Sequence, residues 1–405
     1  MRCRSFLSLA AVPLVAANSK PKVALIITEY RKTSHADVIA GRLLGGYQYY
    51  GKRVEPRLHA VSMFTDQVPK NDMSRDMAAR HGVKIYPDVR GALTLGGDRL
   101  AVDGVVLIGE HGDYPMNEKG QKLYPRHRLF QEIVAVYEAS GRAVPTFCDK
   151  HLSTDWDKAK WMYDASRRLK FPFLAGSSVP IAWRKPELEM PSGARIRNAV
   201  ATAYGGKEAY GFHALESLQV MVERRRGGET GVASVQCFDG PAVWNWADAH
   251  PWSLKLMDAA NARSEKRKPG NVRDNVKSPS VFAIRYRDGL EAAVFMLNGH
   301  IEDFNFAADI EGRAEPAATL MWLQPGRYYA HFSTLTHYIE ELVLNRKEPY
   351  PVERTLLTTG ILAAAMDSAY QKGKALDTPH LDVRYRAPKA SLYNRGAVPP
   401  LEPES

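Results

Sequence analysis

Four short stretches of this chain gather residues that can hold charge and move protons. In the first, an apolar run ends in Asp149-Lys150, a carboxylate beside an ammonium. A lysine there can hold an oxygen that gains negative charge and help move its proton; the plainer reading is a surface lysine at a strand end. In the second, His213 and Glu216 stand three residues apart, so a helix sets them on one face, where the acid can orient the ring. An imidazole titrates near neutrality and suits acid–base work, although Leu215 and Leu218 are neighbours that a core histidine would also have. The third is Glu110-His111-Gly112-Asp113-Tyr114. It reads as a substrate-hydroxyl site, as a metal site whose spacing is permitted but not specified, or as a polar turn that caps the next element. In the fourth, Arg31 and Lys32 precede Ser34, and a helix N-terminus beside two cations favours a phosphate or carboxylate; solvated charges before a capped helix fit the stretch at least as well.

These residues need strand ends to sit on. Residues 23–27 are a continuous apolar run, the pattern of a central parallel strand. Ser34-His35-Ala36-Asp37 is a capping-box pattern that opens a helix to about residue 44. Strands are expected at 58–64 (ending near Asp66), 85–86, 104–108 and 143–147, with helices at 73–81 and 130–140. Such alternation predicts a doubly wound parallel sheet, a Rossmann-like α/β domain over 21–150, with ligands at the carboxyl ends of its strands. After Lys150 the pattern changes. A helix is expected at 154–169, then a Pro- and Gly-rich stretch at 171–191, a strand at 199–204 and the His213 helix at 211–226. A hairpin follows at 280–286 and 290–297 around Arg287-Asp288-Gly289. An alternating strand at 304–310, an apolar strand at 318–323 and helices at 338–344 and 353–370 complete an α+β domain over 151–386. Its sheet reads as mostly antiparallel and open. The Pro-rich tail, 387–405, reads as irregular.

Composition narrows the class. The chain has 405 residues, 45% hydrophobic and 25% charged, which suits a soluble protein of two domains. No apolar run is long enough to span a bilayer. The formal charge is +10, but the basic residues are scattered. Arg224-Arg225-Arg226 at a helix end and Lys266-Arg267-Lys268 in a loop read as solvated surface, so no nucleic-acid partner is expected. Arg2 and Arg4, the apolar segment 6–15 and Val15-Ala16-Ala17 read as an export signal over residues 1–17, placing the protein in a periplasm or outside the cell. Cys148 reads as a small buried residue. Trp156, Trp161, Trp244 and Trp246 read as packing aromatics rather than sugar platforms.

With the elements placed, the chain resembles the Gfo/Idh/MocA oxidoreductases. Family members carry a helix ending in Gly-Lys, a strand and then Glu-Lys-Pro; here the run is Ser140-Gly141-Arg142, the strand, and Asp149-Lys150-His151. The family's Gly-x-His-x-x-Asp helix is matched by Gly211-Phe212-His213-Ala214-Leu215-Glu216, and its closing helix and strand by residues 355–369, Gly373 and Leu381-Asp382-Val383. The likeness spans roughly residues 22–386. It implies NAD or NADP across the crevice and hydride transfer on a sugar, polyol or glycoside, with His213 taking a hydroxyl proton, Lys150 polarising the oxygen, and Asp149 and Glu216 beside them. Thr28, Glu29, Arg31, Ser34, His35, Asp66, Glu110 and Lys150 are then expected toward the cofactor, and His111, Asp113, Tyr114, His151 and Tyr210 toward the substrate, although the resemblance does not account for the charged loop 110–114, since family members usually keep a small, less charged loop there. The likeness also implies a homo-oligomer paired through the second-domain sheet. The departures are plain. The Gly-x-Gly-x-x-Gly turn, which lets backbone approach a pyrophosphate, is replaced by residues 28–35; His151 stands for the proline, Asp149 for the glutamate, and Ala209 for an aspartate. A cofactor retained through turnover would answer the scarcity of free NAD outside the cytoplasm. Two other readings follow from the departures: a cofactor-free binding protein, or a non-redox hydrolase or lyase using Glu110, His111 and Asp113.

Overall fold

The computed structural model describes residues 19–324 and 329–398; the expected export signal and the end of the tail lie outside the described residues. The first half alternates strand and helix: β1 (Lys22–Glu29), α1 (His35–Gly45), a small hairpin of β2 (Tyr47–Tyr49) and β3 (Lys52–Val54), β4 (His59–Gln67), α2 (Ser74–His81), β5 (Lys84–Ile85), α3 (Val89–Thr94), β6 (Gly104–Ile108), α4 (Arg126–Ser140), β7 (Thr146–Asp149), α5 (Trp156–Arg168) and β8 (Phe173–Gly176). Six of these strands form one parallel sheet in the order β5-β4-β1-β6-β7-β8. Counted along the chain this is 3-2-1-4-5-6, with its switch point between β1 and β6. Residues 23–27 of β1 are fully buried, as the centre of a sheet covered on both faces requires.

Alternation along each strand feeds two cores. Leu25, Ile27, Val106, Ile108 and Phe147 pack against Ile39 and Leu43 of α1. Ala24, Ile26, Val105 and Leu107 face Leu129, Phe130 and Ile133 of α4. α1 starts where its capping residues dictate, since Ser34 Oγ accepts from the Asp37 backbone N–H at 3.3 Å. The strand expected at 143–147 begins at Thr146, because Pro145 has no N–H to give a ladder.

The second half contributes β9 (Trp183–Lys185), β10 (Ile196–Ala203), α6 (Ala209–Val222), β11 (Val232–Asp239), α7 (Pro241–Ala249), α8 (Pro251–Asn261), α9 (Val272–Asn275), β12 (Ser280–Tyr286), β13 (Glu291–Met296), β14 (Phe304–Ile310), β15 (Ala317–Trp322), α10 (His331–Asn345), α11 (Glu353–Tyr370) and β16 (Leu376–Asp377). Its eight-stranded sheet runs β16-β11-β12-β13-β10-β14-β15-β9, and only the β10–β13 pair is parallel. α6 and α11 cover one face. α7 and α8 lay Val243, Ala247, Leu256 and Met257 over Val200, Ala293, Phe295 and Ala307 on the other.

Four expectations need correcting. The Pro- and Gly-rich stretch at 171–191 contains β8, so the parallel sheet continues past Lys150. β14 is buried nearly throughout rather than alternately, because helices flank both sides of it. Arg224 and Arg225 are buried, not solvated: Arg224 donates to the carbonyls of Met190, Pro388 and Lys389, and Arg225 binds Glu229 and Asp288. α10 starts seven residues before the expected helix at 338 and returns to the first sheet, where Leu335 and Ile339 complete its α1 side.

Candidate active site

The carboxyl ends of β1, β6 and β7 meet α6, β14 and the start of α10 around a cavity of about 250 Å³. Four imidazoles line it: His35 from α1, His111 from the loop after β6, His213 from α6 and His331 from α10. Aromatic rings supply much of the remaining wall. Tyr210 stacks on Phe304 at 6.1 Å, and Tyr204 stands edge-on to Tyr210 at 5.1 Å. Gly205 allows this, because a Cβ there would run into the Tyr210 ring.

Behind the imidazoles lies a buried charge cluster. Arg126 is fully buried and threads past Gly109, where any Cβ would strike its side chain. Its Nε donates to the Gly109 carbonyl at 2.9 Å and its Nη2 to Glu110 Oε2 at 2.8 Å. Lys150 Nζ approaches the other Glu110 oxygen at 3.4 Å. Burial pushes the Glu110 carboxyl up, but Lys150 and Arg126 outweigh it and hold it well below the usual carboxylate range. His151 is buried away from the cavity, with Nε2 at 3.0 Å from Arg126 Nη1 and 2.7 Å from Glu208 Oε1.

Three of the cavity imidazoles, His111, His213 and His331, sit where the protonated form is disfavoured. Burial, then His35, lowers His111 to about 4. Burial, then Arg42 and His35, lowers His331 to about 3. Burial, then Lys150 and His35, puts His213 well below its ordinary value. His111 accepts from Arg31 Nη2 at its Nδ1, at 3.1 Å. Arginine only donates, so the His111 proton sits on Nε2, which is buried with no partner. His213 Nδ1 and His331 Nδ1 are likewise buried and unpartnered. Backbone strain gathers here too. Thr33, His111, Lys150 and Tyr329 all have left-handed backbones, φ between 45° and 70°, each costing about 1–3 kcal/mol that the surroundings must offset.

Several expected site residues therefore converge. His35, His111, His213 and Tyr210 line the cavity; Glu110 and Lys150 sit beneath it, and Lys150 is the foremost charge acting on His213. Others do not. Glu216 does not orient His213: its Oε2 accepts from the Ser177 N–H at 2.7 Å and its Oε1 from Thr355 Oγ1 at 2.8 Å. Burial lifts that carboxyl to about 7. Thr28 turns inward and donates to the Glu110 carbonyl at 2.7 Å. Glu29 pairs with Arg31 at 2.7 Å. Asp113 is exposed and Tyr114 points away from the cavity, to Asp66. Among the described residues no group of three or more His, Cys, Asp or Glu is gathered for a metal ion, so Glu110, His111 and Asp113 do not become one. Tyr204, Phe304, Tyr329 and His331 had not been expected; the aromatic run 329–332 ahead of a helix was the available signal for the last two.

The switch point fits a nicotinamide dinucleotide on one side only. The nicotinamide end would face the cavity, above Glu110 and Lys150. On the adenosine side the chain bonds to itself. Ser34 Oγ accepts from the N–H groups of Arg31 and Asp37, and Asp37 Oδ2 takes the Thr33 N–H. Asp66 accepts from Tyr114 Oη at 2.7 Å and Arg128 Nη2 at 2.6 Å. Gln67 bonds both the N–H and the carbonyl of Asp113. A pyrophosphate and a ribose would seek the same amides and the same carboxylate.

A six-stranded 3-2-1-4-5-6 sheet and a second sheet domain with a cavity between them make up a fold that this chain shares with solved inositol dehydrogenases. No protein-family model matches the sequence, and no curated protein aligns with it. Among solved structures it is similar to myo-inositol 2-dehydrogenase from Lactobacillus plantarum, 12% identical with a TM-score of 0.51 over 89% of this chain and 99% of that one. GenD2 from gentamicin A biosynthesis, in complex with NAD, is 11% identical at a TM-score of 0.55 over 91% and 99%. An oxidoreductase from Agrobacterium radiobacter, in complex with NAD+, L-tartaric acid and magnesium, is 12% identical at 0.52 over 89% and 98%. At such identities the likeness speaks for the fold.

Proposed function

We propose that this protein is an oxidoreductase acting at a hydroxyl-bearing carbon of a small sugar or polyol, with NAD or NADP as cofactor, and that it works in a periplasm or outside the cell. The observation that carries the reading is the cavity itself, where histidines from both halves meet over the Glu110–Lys150 pair. The dehydrogenase fold and its NAD-bound neighbours support the chemistry. The basic, apolar and small-residue succession over 1–17 supports export. At about 250 Å³ the cavity falls below the roughly 300–1,000 Å³ of drug-sized pockets, so one small ring suits it better than a disaccharide. The ring nitrogens left free can bond hydroxyls, His111 Nε2–H as a donor and His35 Nε2 as an acceptor, and the Tyr210–Phe304 wall suits the C–H face of such a ring. A bound nicotinamide would supply the hydride acceptor. The chain's own part is to exclude water, orient the ring through His213 and His111, and favour an alkoxide through the field of Lys150.

The test begins with mature protein, denatured and its supernatant assayed for NAD(P), followed by cofactor titration and a turnover screen of inositols and monosaccharides. Released or bound NAD(P) with turnover of a polyol is expected; no release, no binding and no turnover would overturn the reading. The self-bonded adenosine side favours one second reading, a polyol-binding protein without cofactor. It predicts calorimetric binding of a polyol with no NAD(P) under any condition.

A further inference from the structure

We propose that His35, held by Asp149, is the base that takes the ligand's hydroxyl proton. This rests on the polyol reading above and moves the proton-accepting role away from His213. Asp149 closes β7 and is fully buried. Its Oδ2 lies 2.6 Å from His35 Nδ1, while its Oδ1 is buried with no partner. A carboxylate only accepts, so Nδ1 carries the His35 proton. The two ring nitrogens point apart, and the ring lines the cavity, so the Nε2 lone pair is presented to whatever enters. A carboxylate behind an imidazole fixes its tautomer and stabilises the imidazolium that forms when Nε2 takes a proton.

Among the described residues no other cavity group is equipped this way. Asp149, Glu110, Lys150, His111, His213 and His331 are the charged or titratable groups facing His35 across the elements packed around it. His111 has its Nδ1 lone pair engaged by a cation, Arg31. His213 and His331 each leave Nδ1 buried without a partner, so nothing is in place to receive the charge of a protonated ring. His151 does have a carboxylate, Glu208, but lies outside the cavity beside Arg126. In the proposed step the ligand's O–H bond breaks as N–H forms at His35 Nε2. An imidazolium is left against Asp149, and an alkoxide is left in the field of Lys150. Asp149 is then a positioning residue, acting through His35.

The full chain labelled with 15N-histidine, read by long-range proton–nitrogen correlation, tests this without cofactor or turnover; His35→Gln assigns the signal. The expected wild-type spectrum shows His35 protonated at Nδ1 and bare at Nε2. Asp149→Asn should lower the proton affinity of His35 at least about tenfold, one pK unit, with the circular dichroism spectrum unchanged. An Nε2–H tautomer in the wild type, or an unaltered proton affinity in Asp149→Asn, would overturn the dyad. If Asp149→Asn does not fold, carbethoxylation of the wild type with diethyl pyrocarbonate and peptide mapping decides. His35, with its Nε2 lone pair facing the cavity, should be modified faster than His111, whose Nδ1 lone pair is taken by Arg31; an equal or slower rate at His35 would overturn the proposal. Adding myo-inositol as probe should move the His35 and His213 signals. Absence of that movement counts against the polyol reading and leaves the tautomer result to decide the dyad.

Discussion

Two buried polar regions of this molecule contrast in how they spend their hydrogen bonds. Between α6, α11 and the strand ends of the second sheet, Arg354 binds Glu223 through two bonds of 2.8 and 2.6 Å, and Arg225 binds Glu229 through two more. Tyr385 Oη donates to Glu223 and accepts from Gln219, whose amide oxygen takes the Tyr286 hydroxyl. In the cavity, by contrast, His111 Nε2, His213 Nδ1, His331 Nδ1 and Asp149 Oδ1 are buried with no partner. A satisfied network in low dielectric fixes a fold, whereas unsatisfied groups cost stability and persist where a ligand will use them. Buried polar side chains thus serve architecture in one region and, on the reading proposed above, chemistry in the other.

The largest effect that can break this contrast is on turnover. His35→Ala should lower turnover of the polyol found by screening about 10²- to 10⁴-fold, the usual share of a general base, while the melting temperature stays near wild type. A variant that unfolds instead would make His35 architectural. The converse is expected in the satisfied network. Arg354→Met leaves Glu223 buried with its hydroxyl partner alone and should cost about 3–5 kcal/mol in urea denaturation, with turnover per folded molecule unchanged. A loss under about 1 kcal/mol, the scale of an exposed pair, would erase the distinction.

Glu216 sharpens the comparison through pH. Its carboxyl is raised from 4.5 to about 7 in the fold, chiefly by burial, so the native protein holds its proton where the unfolded chain has lost it. Stability from this group falls as pH climbs from about 4.5 to about 7, by about 3 kcal/mol at most. The cavity histidines act in the opposite sense. His111 and His331, lowered from 6.5 to about 4 and about 3, cost stability as pH falls below 6.5, because only the unfolded chain gains the protons. The informative quantity is therefore the difference between wild type and Glu216→Gln across this range. That difference should tilt with pH; a flat one would show that Glu216 does not titrate with folding.

Much of the architecture was legible because it is local. Residues 23–27 and 104–108 are unbroken apolar runs, and the Ser34–Asp37 cap marks α1 by its own side chains. β8 was not, since four residues after Pro172 in a glycine- and proline-rich stretch carry little periodicity, and their strand exists only because β7 offers an edge. α10 packs on the first sheet although it lies in the second half of the chain, and no spacing reveals that. The site divides in the same way. Lys150 and His213 were found by their motifs, yet Glu216 turned to Ser177 and Thr355 because the helix face it occupies meets β8. The His35–Asp149 bond joins residues 114 apart, a distance at which only the tertiary fold, with β1 and β7 flanking β6, brings them together.

The smallest expected effect probes the boundary between the two kinds of region, at the adenosine side of the switch point. Tyr114→Phe removes one hydrogen bond to Asp66 at a half-exposed site, so stability should drop by only about 0.5–1.5 kcal/mol. Arg128 still holds the other Asp66 oxygen, and Gln67 still ties the Asp113 backbone. If this side exists to receive a ribose, freeing Asp66 Oδ2 relieves a competitor, and NAD(P) should bind more tightly to the variant than to wild type in a fluorescence titration. If it is instead a satisfied architectural cluster that happens to lie at a strand end, the variant loses the same small increment of stability and its NAD(P) affinity does not change. The two outcomes differ in binding and agree in stability, so the measurement separates a closed cofactor groove from a sealed one.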